Sequence, residues 1–292
     1  MRELRWLRPV VLAWASAACA DPPVQDVQMQ IIDAHVHTDF SDQPEPVSGI
    51  ARTREQFLAD LQRAGVVAAI AHTDTLGGDW VDLSERGVIH CGGVGAAPDT
   101  VRLAQGLRSE RYRCLKIYLG YAHRFASDSV YDPVYALAAR HGVPIVFHTG
   151  DTYSSRGKLK YAHPLVVDEV AVDHPDITFV IAHAGYPWYQ TAAEVAYKNP
   201  NVVLEASAFM VGTPAGVTDE WLEQYVVQPI AWIFGYFEDP SKLMFGSDWP
   251  LVDIAGYAEA YRRAIPREHW SAVFHDNAAR VFGVAVPAAP AN

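Results

Sequence analysis

The sequence has few cysteines and no close cysteine pair. Its 292 residues contain only three, Cys19, Cys91 and Cys114, and none of the spacings between them matches a zinc finger or a redox motif. A disulfide framework is therefore not expected. Cys91 and Cys114 fall in apolar, strand-like runs, where a cysteine usually acts as a small buried hydrophobic residue.

The chain also lacks a basic face. Its 23 Lys and Arg residues are outnumbered by 34 Asp and Glu residues, which gives a formal net charge of −11. It contains no cluster of basic residues interleaved with aromatic ones, and we therefore do not expect a nucleic-acid partner. A small-molecule substrate is expected instead, and a homo-oligomer is left open.

No stretch of the chain is long and apolar enough for a stable membrane span. The amino terminus nevertheless differs from the rest, since three arginines precede an apolar run over residues 9–20, as in a secretory signal peptide. Cys19 resembles the acylation site of a bacterial lipoprotein, although Ser16 stands where a branched apolar residue is usual. We expect residues 1–20 to be a signal peptide and the protein to be exported, either periplasmic or lipid-anchored. A cytoplasmic protein with an amino-terminal extension is the alternative.

The remainder of the chain alternates β-rich runs with helical patterns, which is typical of a parallel sheet with crossover helices. Eight strands are predicted, over residues 31–37, 66–72, 88–94, 114–119, 144–148, 177–183, 202–206 and 242–248. The helices predicted between them cover residues 53–64, 80–85, 99–109, 132–141, 164–174, 187–198, 218–237 and 253–264.

Eight such units form either a closed barrel or an open, doubly wound sheet. The open sheet usually has a glycine-rich turn after its first strand, whereas this chain has His-Val-His-Thr-Asp there. Polar residues also recur at the carboxyl ends of several predicted strands, where barrel enzymes keep their chemistry. We therefore predict an α/β protein, with a single (β/α)₈ TIM barrel formed by residues 21–292.

The strand ends carry five potential metal ligands, His35, His37, His148, His183 and Asp248. His35 and His37 are two residues apart and share one face of a strand. Their imidazoles are therefore able to converge on one cation. Histidine and carboxylate ligands suit zinc, manganese or iron better than magnesium or calcium. The sequence predicts a divalent metal cofactor, zinc before the others, with one or two ions.

Lys116 lies inside the otherwise apolar fourth strand, where burial disfavours a charged amine. One interpretation is an ion pair with a neighbouring carboxylate such as Glu205. The other is carboxylation of the amine by CO₂, which would turn Lys116 into an anionic bridge between two metals. The sequence leaves both open.

Substrate contacts are expected from loops at the strand ends. The loop after the fifth strand is the most basic stretch outside the amino terminus. Its Arg156 either clamps a substrate carboxylate or lies in a solvated loop, and Tyr153 is a second candidate. Tyr118 either lines the pocket or fills the barrel, and Trp249 is a candidate pocket wall. For His72, at the end of the second strand, a structural role is favoured over a substrate contact.

These motifs resemble the amidohydrolase superfamily, in particular its metal-dependent "amidohydrolase 2" branch of barrel hydrolases and decarboxylases. The resemblance extends from residue 31 to about residue 283. Its motifs are Asp-Ala-His-Val-His, Leu-Lys-Ile-Tyr, Phe-His-Thr-Gly-Asp, Ala-His-Ala-Gly, Phe-Gly-Ser-Asp-Trp-Pro and Asn-Ala-Ala-Arg-Val-Phe-Gly.

The resemblance implies that His35 and His37 bind an inner metal and that His148 and His183 bind an outer one. Lys116, if carboxylated, would bridge the two metals. Asp248 would bind the inner metal and take a proton from its water.

On this basis we expect a hydrolase that cleaves a small amide, ester or lactone with metal-activated water. Many decarboxylases of the branch lack the lysine of the fourth strand and use one metal. A one-metal decarboxylase of an aromatic or unsaturated acid is therefore the alternative. A catalytically silent exported binding protein is disfavoured, because no member of the ligand set is missing.

Overall fold

A computed structural model of the chain describes residues 29–72 and 81–285. The expected signal peptide at residues 1–20 lies outside the described residues. None of the helices in the described part combines the length and apolarity needed to traverse a bilayer.

Eight parallel strands follow one another in chain order around a barrel. Backbone hydrogen bonds join the last strand to the first, from Ala34 N to the Phe245 carbonyl at 3.0 Å and from His37 N to the Trp249 carbonyl at 2.8 Å. The predicted TIM barrel is confirmed. The strands are β1 (Ile31–Val36), β2 (Val66–His72), β3 (Val88–Val94), β4 (Cys114–Ile117), β5 (Ile145–Phe147), β6 (Phe179–Ile181), β7 (Val202–Glu205) and β8 (Leu243–Met244).

Strands β6 and β8 end earlier than the sequence predicts, and the backbone gives the reason. His183 and Asp248 have φ values of 58° and 69°, in the left-handed region that no strand residue adopts. The chain therefore leaves the ladder before each of these polar residues.

Helices connect the strands on the outside of the barrel: α1 (Arg54–Ala64), α2 (Thr100–Arg108), α3 (Leu119–Ala122), α4 (Asp132–His141), α5 (Leu159–Ala162), α6 (Val166–Asp173), α7 (Tyr189–Lys198), α8 (Asp219–Leu222), α9 (Gln228–Phe237), α10 (Ile254–Ala264) and α11 (Asn277–Phe282). Helix α1 is capped at its amino terminus by Thr53, whose side chain accepts a hydrogen bond from Gln56 N, and at its carboxyl terminus by Gly65 with φ 72°.

The helices differ from the prediction in three respects. Where a helix is predicted over residues 80–85, the described residues form a 3₁₀ turn, Ser84–Arg86. The long helix predicted over residues 218–237 is interrupted by a π-helical turn, Glu223–Val227. The short helices α3, α5 and α11 were not predicted, because segments of four to six residues carry too little periodicity to be recognised.

Alternate strand residues fill the barrel with apolar side chains, among them Ile32, Ile70, Cys91, Val146, Val180 and Met244. Ala278 and Phe282 of α11 belong to the same cluster. A second, larger cluster packs the strands against the surrounding helices. The polar strand ends therefore lie above a dry apolar core, which holds them in place.

Cys91 and Cys114 form a disulfide in this core, with their Cα atoms 4.4 Å apart. Both cysteines are buried in the apolar core as expected, but the expectation of no disulfide is wrong. The two cysteines are direct partners in the β3–β4 ladder. They are 23 residues apart in sequence, and only the strand register brings them together.

Candidate active site

The histidines of β1 meet the aspartate that follows β8. Asp248 Oδ1 lies 3.0 Å from His37 Nε2 and 3.4 Å from His35 Nε2. Among the described residues, buried His35 Nε2 and Asp248 Oδ1 have no hydrogen-bond partner. A carboxylate oxygen and two ring nitrogens turned toward one point are a donor set that fits a divalent cation.

A second pair of imidazoles converges beside this group. His183 Nε2 lies 3.1 Å from His148 Nδ1. His148 Nε2 donates to the Asp151 carbonyl at 3.0 Å, and a neutral ring then carries its lone pair on Nδ1. His183 Nδ1 contacts Ser207 Oγ at 2.8 Å. Each ring is thus oriented by a partner on its far nitrogen, as is usual for metal-binding histidines.

Glu205, at the end of β7, positions His35 and His183 through hydrogen bonds. Its Oε1 accepts hydrogen bonds from His35 Nδ1 at 2.6 Å and from His183 N at 3.0 Å, and its Oε2 accepts one from Ser207 N at 2.9 Å. When Glu205 is ionised, the proton of a neutral His35 is on Nδ1, and the Nε2 lone pair faces Asp248. Glu205 was considered only as a partner of Lys116. Its position at the end of an apolar strand was a signal that it belongs to the site.

Burial disfavours the charged form of the site histidines. Burial and the Lys116 charge lower the pKa of His35 well below its ordinary value. The pKa of His183 is likewise far below its ordinary value, because of burial first and then His148 and Lys116. Burial, followed by Lys116, lowers the pKa of His148 to about 3. Neutral imidazole is the form that binds metal.

Lys116 is fully buried among these groups. Its ammonium lies over the ring of Tyr118, 5.3 Å from the ring centroid. Burial raises the pKa of Glu205 to about 8, and the Lys116 ammonium is the largest influence opposing that rise. Lys116 thus interacts electrostatically with Glu205 and with the histidines, and its two interpretations, ion-pair partner or bridging ligand, both stay open.

Asp33 and His72 brace strand β1. Asp33 Oδ1 accepts hydrogen bonds from His35 N at 3.1 Å and from Ser247 N at 2.9 Å, which ties β1 to the loop after β8. His72 Nε2 donates to the Ala34 carbonyl at 3.0 Å. This bond agrees with the structural role favoured for His72.

A cavity of about 680 Å³ opens at the carboxyl ends of the strands. Its wall includes His37, His148, His183 and Asp248 together with the predicted contacts Tyr118 and Tyr153. It also includes Arg52, Glu45 and Tyr121, which are not among the contacts predicted from the sequence. The Tyr153 hydroxyl donates a hydrogen bond to the Glu45 carboxylate at 2.9 Å, and Arg52 forms an ion pair with the same carboxylate at 3.5 Å.

Two expected substrate contacts lie outside the lining of this cavity. Arg156 is exposed, and its loop is held by a hydrogen bond from His123 Nε2 to the Arg156 carbonyl at 2.9 Å. Trp249 is fully buried and packs on Phe57 of α1, with ring centroids 4.8 Å apart. Arg52 is the arginine of this cavity wall, and the Trp249 side chain packs against α1 rather than lining the cavity.

A sequence profile described as Amidohydrolase matches residues 32–284. A comparison with curated proteins found no match to this chain.

Several solved structures share the fold. An amidohydrolase from Burkholderia multivorans with bound zinc has a TM-score of 0.63 and 18% identity, over 88% of this chain and 100% of that chain. A Pseudomonas putida protein named as a 2-pyrone-4,6-dicarboxylic acid hydrolase has a TM-score of 0.62 and 16% identity, over 89% and 98%. A 5-carboxyvanillate decarboxylase from Sphingomonas paucimobilis has a TM-score of 0.61 and 13% identity, over 88% and 99%.

Identities this low show a common fold and nothing about the substrate. The profile match covers most of the chain, including every ligand candidate described above. The chain belongs to the amidohydrolase family, in its metal-dependent amidohydrolase 2 branch.

Proposed function

We propose that the protein is a hydrolase that uses metal-activated water to cleave a small amide, ester or lactone. The supporting observation is that two sets of ligand atoms, the His35–His37–Asp248 group and the His148–His183 pair, face one cavity beside buried Lys116. A divalent cation, zinc before manganese or iron, would supply hydroxide at neutral pH by lowering the pKa of its bound water to about 7.

The protein's own side chains would transfer the proton, hold the ligand sets together and contact the substrate. Asp248 lies at the cavity wall with one oxygen turned toward the ring nitrogens, so it is placed to accept the proton of the attacking water and to pass it to the leaving group. Lys116, when carboxylated, would hold the two ligand sets together. Tyr118 and Arg52 border the same cavity and are placed to contact polar atoms of the substrate.

The alternative is a one-metal decarboxylase of an aromatic or unsaturated acid. Its support is the electrostatic interaction between Lys116 and Glu205, because an ammonium engaged with a carboxylate does not bridge two metals. The decarboxylase among the solved structures has the same fold. We favour the hydrolase because the second imidazole pair provides a second place for a cation.

Metal removal and reconstitution test this proposal. Protein stripped with a chelator and reloaded with Zn²⁺ or Mn²⁺ is assayed against lactones, aryl esters and small amides. The same samples are assayed for CO₂ release from aromatic and unsaturated acids. We expect hydrolysis in the loaded protein alone, without CO₂ release. Metal-dependent CO₂ release without hydrolysis would establish the lyase, and equal hydrolysis before and after stripping would contradict both functions.

We also propose that the protein is exported and matures in an oxidising compartment. The Cys91–Cys114 disulfide supports this, since such bonds persist in secreted proteins and are rare in the cytosol. Cells that produce either the full chain or a chain lacking residues 1–20 are treated with a thiol-alkylating reagent. The masses of the peptides that contain Cys91 and Cys114 are then determined by mass spectrometry. We expect alkylation of both cysteines only in the shortened chain. Alkylated cysteines in the full chain would contradict the proposal.

A further inference from the structure

The backbone at Asp248 is held by the strand on the other side of the barrel closure. Asp248 has φ 69°, a conformation that side-chain-bearing residues seldom adopt without support. Asp248 N donates to the His35 carbonyl at 2.8 Å. Trp249 N donates to Ser247 Oγ at 3.0 Å, and the Trp249 carbonyl accepts from His37 N at 2.8 Å. The direction of the Asp248 carboxylate therefore depends on where residue 249 is fixed.

The side chain of Trp249 is fixed by helix α1. Its indole is fully buried, and its Nε1 donates to Asp60 Oδ2 at 3.0 Å. Asp60 is only 2% exposed. A carboxylate is seldom buried in this way unless its hydrogen bonds are satisfied.

Both carboxylate oxygens of Asp60 have hydrogen-bond or ion-pair partners. Asp60 Oδ1 accepts from Gln56 Nε2 at 2.7 Å and pairs with Arg63 Nη1 at 2.7 Å. Arg63 also contacts Asp253, whose side chain accepts from Gly256 N at the start of α10. The indole of Trp249 is thus held through Asp60 by a network that joins α1 to α10.

We propose that Asp60 and Trp249, together called the α1 clasp, are positioning residues that hold the Asp248 carboxylate at the ligand group. This inference rests on the role given to Asp248 in the proposed function. Neither residue lines the cavity. The clasp acts by fixing the peptide between residues 248 and 249, so that Asp248 Oδ1 stays 3.0 Å from His37 Nε2.

Zinc binding measures this positioning without any substrate. The Zn²⁺ dissociation constant is determined by competition with a chromophoric chelator for Trp249→Phe, which keeps most of the ring but removes the indole donor. Trp270→Phe is the matched control, since Trp270 Nε1 donates to the Ile265 carbonyl at 2.9 Å and Trp270 does not line the cavity. We expect about 10-fold weaker binding for Trp249→Phe, the lower end for a ligand-orienting partner. The control should change binding by less than about 2-fold.

A double-mutant cycle separates positioning from general destabilisation. If the clasp acts through Asp248, Trp249→Phe should add less than about 2-fold in the Asp248→Ala background. Asp60→Asn keeps only one acceptor oxygen, so it can accept hydrogen bonds on one side of the network but not on the other. It should also weaken zinc binding, and it provides the measurement if Trp249→Phe fails to fold.

Two results would overturn the inference. In the first, Trp249→Phe weakens zinc binding equally in the wild-type and Asp248→Ala backgrounds, or Trp270→Phe weakens it as much as Trp249→Phe does. The α1 clasp would then contribute only packing, and the role of Asp248 would be unaffected. Unchanged zinc binding in Asp248→Ala would instead remove the role of Asp248 and the clasp with it.

Discussion

Replacing Asp248 by asparagine is expected to lower kcat for hydrolysis by about 10²–10⁴-fold and to leave KM within about 3-fold. The amide has nearly the same shape, so its oxygen still fits beside His37 Nε2, where Asp248 Oδ1 now lies at 3.0 Å. It cannot take up a proton at neutral pH, and the transfer from water to leaving group is lost.

Steady-state kinetics of the zinc-loaded variant check this, with its metal content measured on the same sample. Asp168→Asn is the control, because Asp168 is bonded to Lys198 and Asn199 away from the cavity. The control should retain full activity. Zinc-loaded Asp248→Asn with unimpaired kcat would show that Asp248 has no part in proton transfer.

Replacing Lys116 by alanine is expected to reduce the metal content from two equivalents per chain to one. Hydrolysis should fall at least about 100-fold, because a ligand is lost outright. Lys116 is fully buried, so the substitution leaves a space beside the ligand sets. A small carboxylate such as acetate or propionate would fill that space and replace the anionic bridge. We therefore expect added propionate to restore part of both the metal content and the activity.

Lys242→Ala is the matched control. Lys242 is a partly buried lysine, whose ammonium donates to the carbonyls of Asn199, Pro200 and Val202. Its loss should lower the melting temperature without changing the metal content, and propionate should have no effect.

A different outcome at Lys116 would favour the decarboxylase. If Lys116 is only the ion-pair partner of Glu205, its removal leaves one metal equivalent unchanged and is not rescued by propionate. The main effect is then on stability, since a buried carboxylate that loses its partner costs about 3–5 kcal/mol. Metal analysis and thermal unfolding of the same samples separate the two cases.

The sequence predicts the barrel and the main ligand candidates because both depend on local patterns. An apolar run that ends in a histidine is visible within a few residues, and parallel strands bring their carboxyl ends to one face of the barrel. His148 and His183, 35 residues apart, therefore meet at 3.1 Å.

The remaining features depend on how separate segments pack. The disulfide needs the β3–β4 register, which the spacing of Cys91 and Cys114 does not reveal. Arg156 and Arg52 both lie in loops at the strand ends, and only the loop paths decide which one reaches the cavity. Trp249 follows a residue with φ 69°, and its direction therefore does not follow from strand alternation.

The ligand group spans the junction between the two ends of the domain. His35 and His37 come from the first strand unit and Asp248 from the last, so the three residues meet only when the circle of strands is complete. A chain still being synthesised, or one that has lost its final β/α unit, has only two of these three ligand candidates. Metal uptake at this position would therefore require a completed barrel, and a bound ion would link its last strand unit to its first.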